Sequence, residues 1–335
     1  MKPSKRIEKP LNFAAVSILT IFVFLNLLTN FDKLDYIPNL FAQYKIQLLF
    51  ILTLSTAFLC FLKFRRLALL GLAFVAIQLI NLAPYIVLKT DKTIPISRKL
   101  RVVSFNSNLH NDQTSKVISF IKNSDADIVI LQEVNSELEI KMGSQAQQFK
   151  YRFPESIVIS DLNVFSKIPF KSEKLIQLGK GSRPMIATSV LIHGQEIAIL
   201  AVHTSSPSTR EGWIRQRQET KNICKNIPNR KMIVLAGDLN STQWTDNFQE
   251  LEKNSNLRDS SSGFGIQSTW PSHSAMVRMP IGGHYRRLNF PFVNQLLLIP
   301  IDQCLVSKEI KVLNRQAGPF LGSDHLPIII DLDWE

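Results

Sequence analysis

Cysteine is scarce in this chain of 335 residues, which holds three, Cys60, Cys224 and Cys304. Neither they nor the six histidines fall at the spacings of a zinc framework, so a metal-stapled fold of that kind is excluded. Cys60 lies in an apolar run, and Cys224 and Cys304 are left with two options, a disulfide or two buried thiols. No internal repeat and no low-complexity segment is present, which removes repeat architectures. The largest absence is of charge: residues 11–28, 46–62 and 67–88 contain no Asp, Glu, Lys or Arg. A hydrocarbon core of ~30 Å needs about 20 apolar residues in a helix, and the three runs read as three transmembrane helices, the middle one only marginally long enough. No small-x-small cleavage site follows the first run, which argues against a cleaved signal peptide. Asn12, Asn26, Gln78 and Asn81 have no charged companion within the runs. They are read as helix-to-helix hydrogen bonds, and transport machinery is set aside.

Charge of either sign is also unevenly spread. The net value is +12, yet residues 1–99 carry 13 basic against 4 acidic side chains and residues 100–335 carry 26 against 23, balances of +9 and +3. The basic excess therefore belongs to the apolar part. It suits attraction to anionic lipid headgroups better than a nucleic-acid footprint on the remainder. Lys2, Lys5, Arg6 and Lys9 precede the first run, and Lys63, Arg65 and Arg66 separate the second from the third. Only Lys33 and Lys45 lie between the first two. That asymmetry predicts a multi-pass protein of the cell membrane with an inside N-terminus and an extracytoplasmic C-terminal domain, although Lys89, Lys92, Arg98, Lys99 and Arg101 pull the other way. The expected organisation is a membrane anchor over residues 1–90, a linker over 91–99 and a domain over 100–335. Counted from residue 89, the linker reaches at most ~35–40 Å, which keeps the domain near the bilayer.

Beyond residue 100 the signal changes to short apolar runs: LRVVSF, DIVILQEV, IVIS, MIATSVLI, EIAILAVH, KMIVLAGD, QCLVS and LPIIIDL. These predict strands, and residues 114–124 and 209–227 predict helices, the second with a basic, polar face. Many strands with intervening helices predict an α/β fold, a two-sheet α/β sandwich flanked by helices.

Polar residues gather at the ends of these strands. Asn106 follows VVSF, Glu133 stands within VILQEV, His203 ends AILAVH, Asp238 and Asn240 follow MIVLAG, Asp302 precedes QCLVS, and Asp324 with His325 precedes LPIII. Each has an ordinary reading taken alone, as a turn residue, a cap or a hydrogen-bonded core group. Together they supply carboxylates, amides and imidazoles at neighbouring strand ends, which independent turns have no reason to do. Such a set suits hydrolysis of a phosphate ester. Carboxylate oxygens match a hard cation such as Mg2+, with Mn2+ as an alternative. An imidazole held by a second carboxylate moves a proton near neutral pH, and amides donate to phosphate oxygens as charge grows.

In order, VVSFNSN, DIVILQEV, LAVHTSSP, VLAGDLNST, PIDQCLVS and GSDHLP resemble the successive motifs of the endonuclease/exonuclease/phosphatase superfamily, the DNase I-like proteins, over residues 100–335. With TWP at 269–271 and the preceding runs, the chain is similar to membrane-anchored bacterial members. The resemblance implies Glu133 as the main Mg2+ ligand, with Asn106 close to metal and phosphate and Asp324 completing the cluster near the metal. It further implies that Asp238 orients or activates water and Asn240 holds a phosphate oxygen. His325, oriented by Asp302, would contact the scissile phosphate. His203 matches the branch of the superfamily that has histidine there. Gln303 departs from the pattern, standing where histidine or tyrosine is common, and the domain is short for the superfamily. The implied partners are a lipid bilayer and a phosphate-ester substrate, with no protein partner.

Three functions follow: a nuclease-like phosphodiesterase, a phosphoesterase of lipid headgroups or small phosphates, and a membrane-anchored binding protein with a retired site. The segment 279–300 mixes Arg286 and Arg287 with Phe290, Phe292 and Leu296 to Leu298. It reads either as a lip touching lipid or bases, or as a hairpin joining the core.

Overall fold

The computed structural model describes residues 5–86, 98–156, 161–272, 276–281, 284–289 and 291–335. Most of the expected linker (91–97), the strand expected over 157–160, and Phe290 lie outside the described residues. The chain divides into two compact units, one of residues 1–84 with 244–246 and one of residues 85–243 with 247–335.

The first unit is helical: α1 (Lys5–Leu28), a single 3-10 turn (Thr29–Phe31), α2 (Tyr36–Gln43), α3 (Lys45–Phe61) and α4 (Arg65–Ile86), whose last residues fall in the second unit. The expectation of three spans meets a different count. Among the described residues, α4 alone is long and apolar enough to cross a membrane. The 17 residues of α3 fall short, since at ~1.5 Å per residue they do not reach ~30 Å. Val16–Phe31 qualifies only jointly with α2, across a break bent by 110°. Asn26 and Gln78, two of the four amides, take the expected role. Asn26 Nδ2 donates to Leu48 O at 3.3 Å, and Gln78 Nε2 donates to Asn26 O at 3.2 Å, each bond joining two helices.

The second unit carries the strands β1 (Leu100–Asn106), β2 (Ile128–Gln132), β3 (Tyr151–Phe153), β4 (Leu162–Ser166), β5 (Phe170–Gln177), β6 (Pro184–Ile192) and β7 (Gln195–His203). After them come β8 (Met232–Asp238), β9 (Arg258–Asp259), β10 (Met276–Ile281), β11 (His284–Asn289), β12 (Asp302–Val306), β13 (Lys311–Ala317) and β14 (Ile328–Asp333). Its helices are α5 (Thr114–Asn123), α6 (Ser136–Gln145), α7 (Arg210–Lys225), α8 (Asp246–Ser255) and the short α9 (Pro291–Leu296). Two six-stranded sheets run β13-β14-β1-β2-β4-β3 and β5-β6-β7-β8-β12-β9. Each is mixed around one parallel pair joined through a helix, β1 and β2 through α5, β7 and β8 through α7.

Strand alternation explains the layering. Val102, Ile130, Ile330, Val234 and Ala236 meet in one core between the sheets. Val103, Phe105, Leu131 and Ile329 point the other way, into a second core that includes Val117 and Ile121 of α5 and Leu138 of α6. Ile233 and Leu235 share a third core with Ile223 of α7 and Phe248 and Leu251 of α8. Strands buried on both faces read as continuous apolar runs, which is why they were visible in the sequence. Thr209 caps α7, its hydroxyl accepting from Gly212 N at 3.0 Å, and Glu211 and Lys225 lie at the ends the helix dipole favours. Cys224 and Cys304 are both free, the second inside the core between the sheets. Burial pushes their thiols up to about 11 and about 12, so neither is a nucleophile at neutral pH.

Candidate active site

The ends of the two parallel pairs carry the polar residues. Asn106 is the last residue of β1 and Glu133 follows β2, while His203 and Asp238 end β7 and β8 directly opposite each other in register. Asp302 begins β12 and also lies opposite Asp238. Gly237 makes that register possible, for its φ is +152° and a Cβ there would overlap the carbonyl of Val202 in β7. Glu133 and Asn240 hold left-handed backbone at φ +51° and +46°, a strained choice for residues other than glycine and one that clusters at functional sites.

One hydrogen-bonded cluster joins the two sheets. Asn106 Nδ2 donates to Glu133 Oε1 at 3.2 Å and to Asp238 Oδ2 at 3.0 Å. Asp238 Oδ1 accepts from Asn240 N at 2.8 Å, and Asn240 Nδ2 donates one hydrogen to Thr204 O at 2.9 Å, leaving its second hydrogen for another acceptor. His325 Nδ1 lies 2.9 Å from Asp302 Oδ2, with its Nε2 3.7 Å from Asp238 Oδ2. From the other side His203 Nε2 lies 3.6 Å from the same Asp238 oxygen and 3.8 Å from Glu133 Oε1. Asp238 is thus flanked by two imidazoles.

The GSDH turn is built for this arrangement. Ser323 Oγ donates to Asn106 O at 2.7 Å and accepts from His325 N at 3.0 Å, tying the turn to the end of β1. Asp324 is occupied otherwise: Asn108 Nδ2 donates to one of its oxygens at 2.6 Å and Trp270 Nε1 to the other at 3.2 Å. It braces two loops beside the cluster, and of the eight residues singled out it alone makes no direct contact with the other seven side chains among the bonds and ion pairs of the described residues.

Electrostatics follow from burial and close pairing. Burial raises the Asp238 carboxyl above its ordinary range, with Asp302 adding to the rise and His325 and His203 opposing it. Burial works against the charge of His325, but Asp302 and Asp238 outweigh it and lift the imidazole to about 10. Sequence reasoning missed Asp161, whose Oδ2 lies 3.3 Å from His203 Nδ1 and accepts from Arg183 Nε at 2.7 Å. Burial opposes the Asp161 carboxylate, yet His203 and Arg183 hold it below its ordinary value. Its signal was an acid directly before the buried run LNVFS, much as Asp302 stands before the apolar residues of β12.

Asp238, Asp302 and His325 each offer a ligand atom within 4.8 Å of the others. The bond between His325 and Asp302 takes up Nδ1 of the one and Oδ2 of the other, and leaves Asp302 Oδ1 buried without a hydrogen-bond partner. Glu133, whose side chain is 26% exposed, gives with Asp238 the more open pair of hard donors, while Asn106 faces both carboxylates with its Nδ2 and turns its Oδ1 to Asn108 N. These oxygens fit a divalent cation.

The profile of the endonuclease/exonuclease/phosphatase family matches residues 103–325. The chain belongs to this family. A phospholipase C of Staphylococcus aureus is 26% identical over 195 residues, covering 52% of this chain and 56% of that protein. The chain thus spans about half the length of the curated relatives it matches. Among solved structures, TDP2 of D. rerio in complex with a single-strand DNA product aligns at a TM-score of 0.54 and 15% identity, covering 70% of this chain and 98% of that one. Sphingomyelinase C of Streptomyces griseocarneus aligns at 0.50 and 14%, covering 70% and 99%. These two likenesses support the DNase I-like fold, a sandwich of two mixed sheets flanked by helices.

Proposed function

We propose that the second unit is a divalent-metal-dependent phosphodiesterase that hydrolyses its substrate by direct attack of water. The observation that carries this reading is the cluster in which Asn106 bridges Glu133 and Asp238 across the two sheets, with His325 held against it by Asp302. Glu133 and Asp238 would hold the cation, which supplies positive charge to the phosphate oxygens when bound, and the Asn106 amide orients the two carboxylates. Asp238, its carboxyl raised above its ordinary range by burial, orients the attacking water. The second hydrogen of the Asn240 amide donates to a phosphate oxygen where charge develops. His325, protonated near neutral pH, faces the phosphate and gives its proton to the departing oxygen. His203 holds Asp238 from the opposite side, oriented by Asp161.

The headgroup phosphodiester of a phospholipid is the substrate class best supported. Phe292, Val293, Leu296 and Leu297 of α9 and the residue after it are exposed, Phe292 by 74%. The helix is tied to the loop that carries Trp270, since Asn294 Nδ2 donates to Ser272 O at 3.2 Å and Ile299 bridges Trp270. An exposed apolar lip beside a polar site suits a lipid surface. The S. aureus relative is a phospholipase C. Nucleic acid is the second reading, favoured by the fold shared with TDP2. Membrane attachment runs through α4, and the extracytoplasmic placement of the domain and further spans before α4 are carried as proposals on the basic flanks.

The test is hydrolysis by the full chain in detergent micelles, with Mg2+ or Mn2+, of phospholipid, DNA, RNA and a soluble bis-aryl phosphodiester. Activity should vanish with chelator on every substrate, and in His325→Ala on those with an alkoxide leaving group, with a smaller loss on the aryl diester. Phe292→Ser combined with Leu296→Ser should lower turnover of micellar phospholipid and spare the soluble diester. Equal loss on both would remove the lipid assignment. A folded protein inactive on the whole panel would remove the enzyme reading.

A further inference from the structure

Arg315 lies on β13 in the first sheet, 2% exposed, and is among the largest fully buried side chains of the protein. Among the described residues it has no ion-pair partner within 4.0 Å, and its Nε has no hydrogen-bond partner. Burial drives the guanidinium below its ordinary value, with Asp259, Cys304 and Asp302 opposing. A buried cation without a carboxylate is expensive, and nothing in the packing requires one at this position, where Ile330 is its strand neighbour.

Its contacts give the reason. Arg315 Nη2 donates to the backbone carbonyl of Asp302 at 3.1 Å and to Gln303 Oε1 at 3.4 Å, while Nη1 donates to Gln267 Oε1 at 2.7 Å. Gln267 Nε2 donates back to Arg315 O. The edge of β12 is open at this point, because β9 pairs only with Leu305 and Val306. The guanidinium supplies the donor that a neighbouring strand would otherwise supply to Asp302. Gln303 passes the contact onward, its Nε2 donating to Pro300 O at 2.7 Å, Gln243 Oε1 at 3.2 Å and Ser241 O at 3.4 Å. Gln267 begins the loop whose Thr269 Oγ1 accepts from Asp302 N at 3.3 Å and whose Trp270 contacts Asp324.

We propose that Arg315 is a positioning residue that fixes Asp302 from behind, and through Asp302 the imidazole of His325, while Gln303 locks the loop carrying Asn240. This rests on the reading of the site as a phosphodiesterase in which His325 protonates the leaving oxygen. Gln303 then stands at its position because an amide can both receive Arg315 and give two hydrogens to the three oxygens around its Nε2, whereas a neutral imidazole or a phenol has one hydrogen to give.

The test uses the full chain in detergent, with Arg315→Lys and Arg315→Met, each melted alongside the native protein. Two diesters are compared, one whose leaving group departs without a proton, such as a nitrophenolate, and one with a poor alkoxide leaving group. A misplaced acid costs up to about 10²-fold in kcat on the poor leaving group, with KM within roughly twofold, and much less on the nitrophenyl substrate. Arg315→Lys, which keeps the charge but not the fork, should lie between the native protein and Arg315→Met. Equal loss on both substrates, or losses that follow only the fall in Tm, would assign Arg315 to stability alone and overturn the proposal. Native protein inactive on both diesters would instead overturn the enzyme reading on which it rests.

Discussion

At the scale of single residues, the site is a set of side chains held by others. The His325 imidazole gains its charge from Asp302 and Asp238 against the cost of burial. An imidazole raised on folding stabilises the native state fully below its unfolded value of about 6.5, and that stabilisation is lost as pH rises through about 10. With chelator present, the unfolding free energy of the native protein should therefore fall across that window, and Asp302→Asn should flatten the fall. A native profile level from pH 6.5 to 10 would contradict the pairing. Asp161→Asn should release His203 and lower kcat about 10-fold while leaving the melting temperature nearly unchanged, since Asp161 lies at the edge of the site and not in a core. Equal activity in that variant would remove Asp161 from the site. The seven side chains that the fold brings together were legible because each stands at or beside the end of an apolar run, a signal that needs no knowledge of pairing, while Asp324, read by the same signal, braces neighbouring loops instead. Asp161, Asn108 and Arg183 were not legible, because their roles depend on which side chain lies across a loop. No local pattern records that.

At the scale of elements, strands buried on both faces were readable and half-exposed ones were not. LRVVSF, MIVLAGD and LPIIIDL fill two cores each, so nearly every position is apolar. By contrast β5, FKSEKLIQ, is an exposed edge strand with four successive solvent-facing residues, and its charges hide its period. Helix α6 was missed for a related reason, for it has only Leu138 and Met142 buried and is announced chiefly by Asn135, which caps it by accepting from Leu138 N at 2.9 Å. The element that most constrains the site is the β7-β8 pair. Its close approach at Gly237 brings Asp238 level with His203. Gly237→Ala should destabilise the protein by more than ~2 kcal/mol, read as a lower Tm, and should reduce activity further than the lost folded fraction explains. A variant with native Tm and native turnover would show that the two strands can separate without cost to the site.

At the scale of the whole chain, charge and hydropathy separate what the fold alone does not. The three uncharged runs were visible at once, yet the helices they form include one of 17 residues and one qualifying stretch broken by a 110° bend. Composition gives apolarity but not where a helix stops. The division of charge is more informative about substrate. A polyanion is held by counterion release, so that an enzyme contacting several phosphates loses affinity steeply with salt. Here residues 100–335 carry a net charge of only +3 while residues 1–99 carry +9. For a phospholipid in mixed micelles of zwitterionic detergent, kcat/KM of the full chain should change by less than about threefold between roughly 50 and 200 mM salt. The same titration with DNA decides the rival reading. A tenfold or steeper fall with DNA, together with faster turnover at low salt than on any lipid, would place the basic side chains of the domain along a nucleic-acid path in spite of their small excess. A shallow dependence on both substrates would leave the apolar lip of α9, and not charge, as the feature that selects what enters the site.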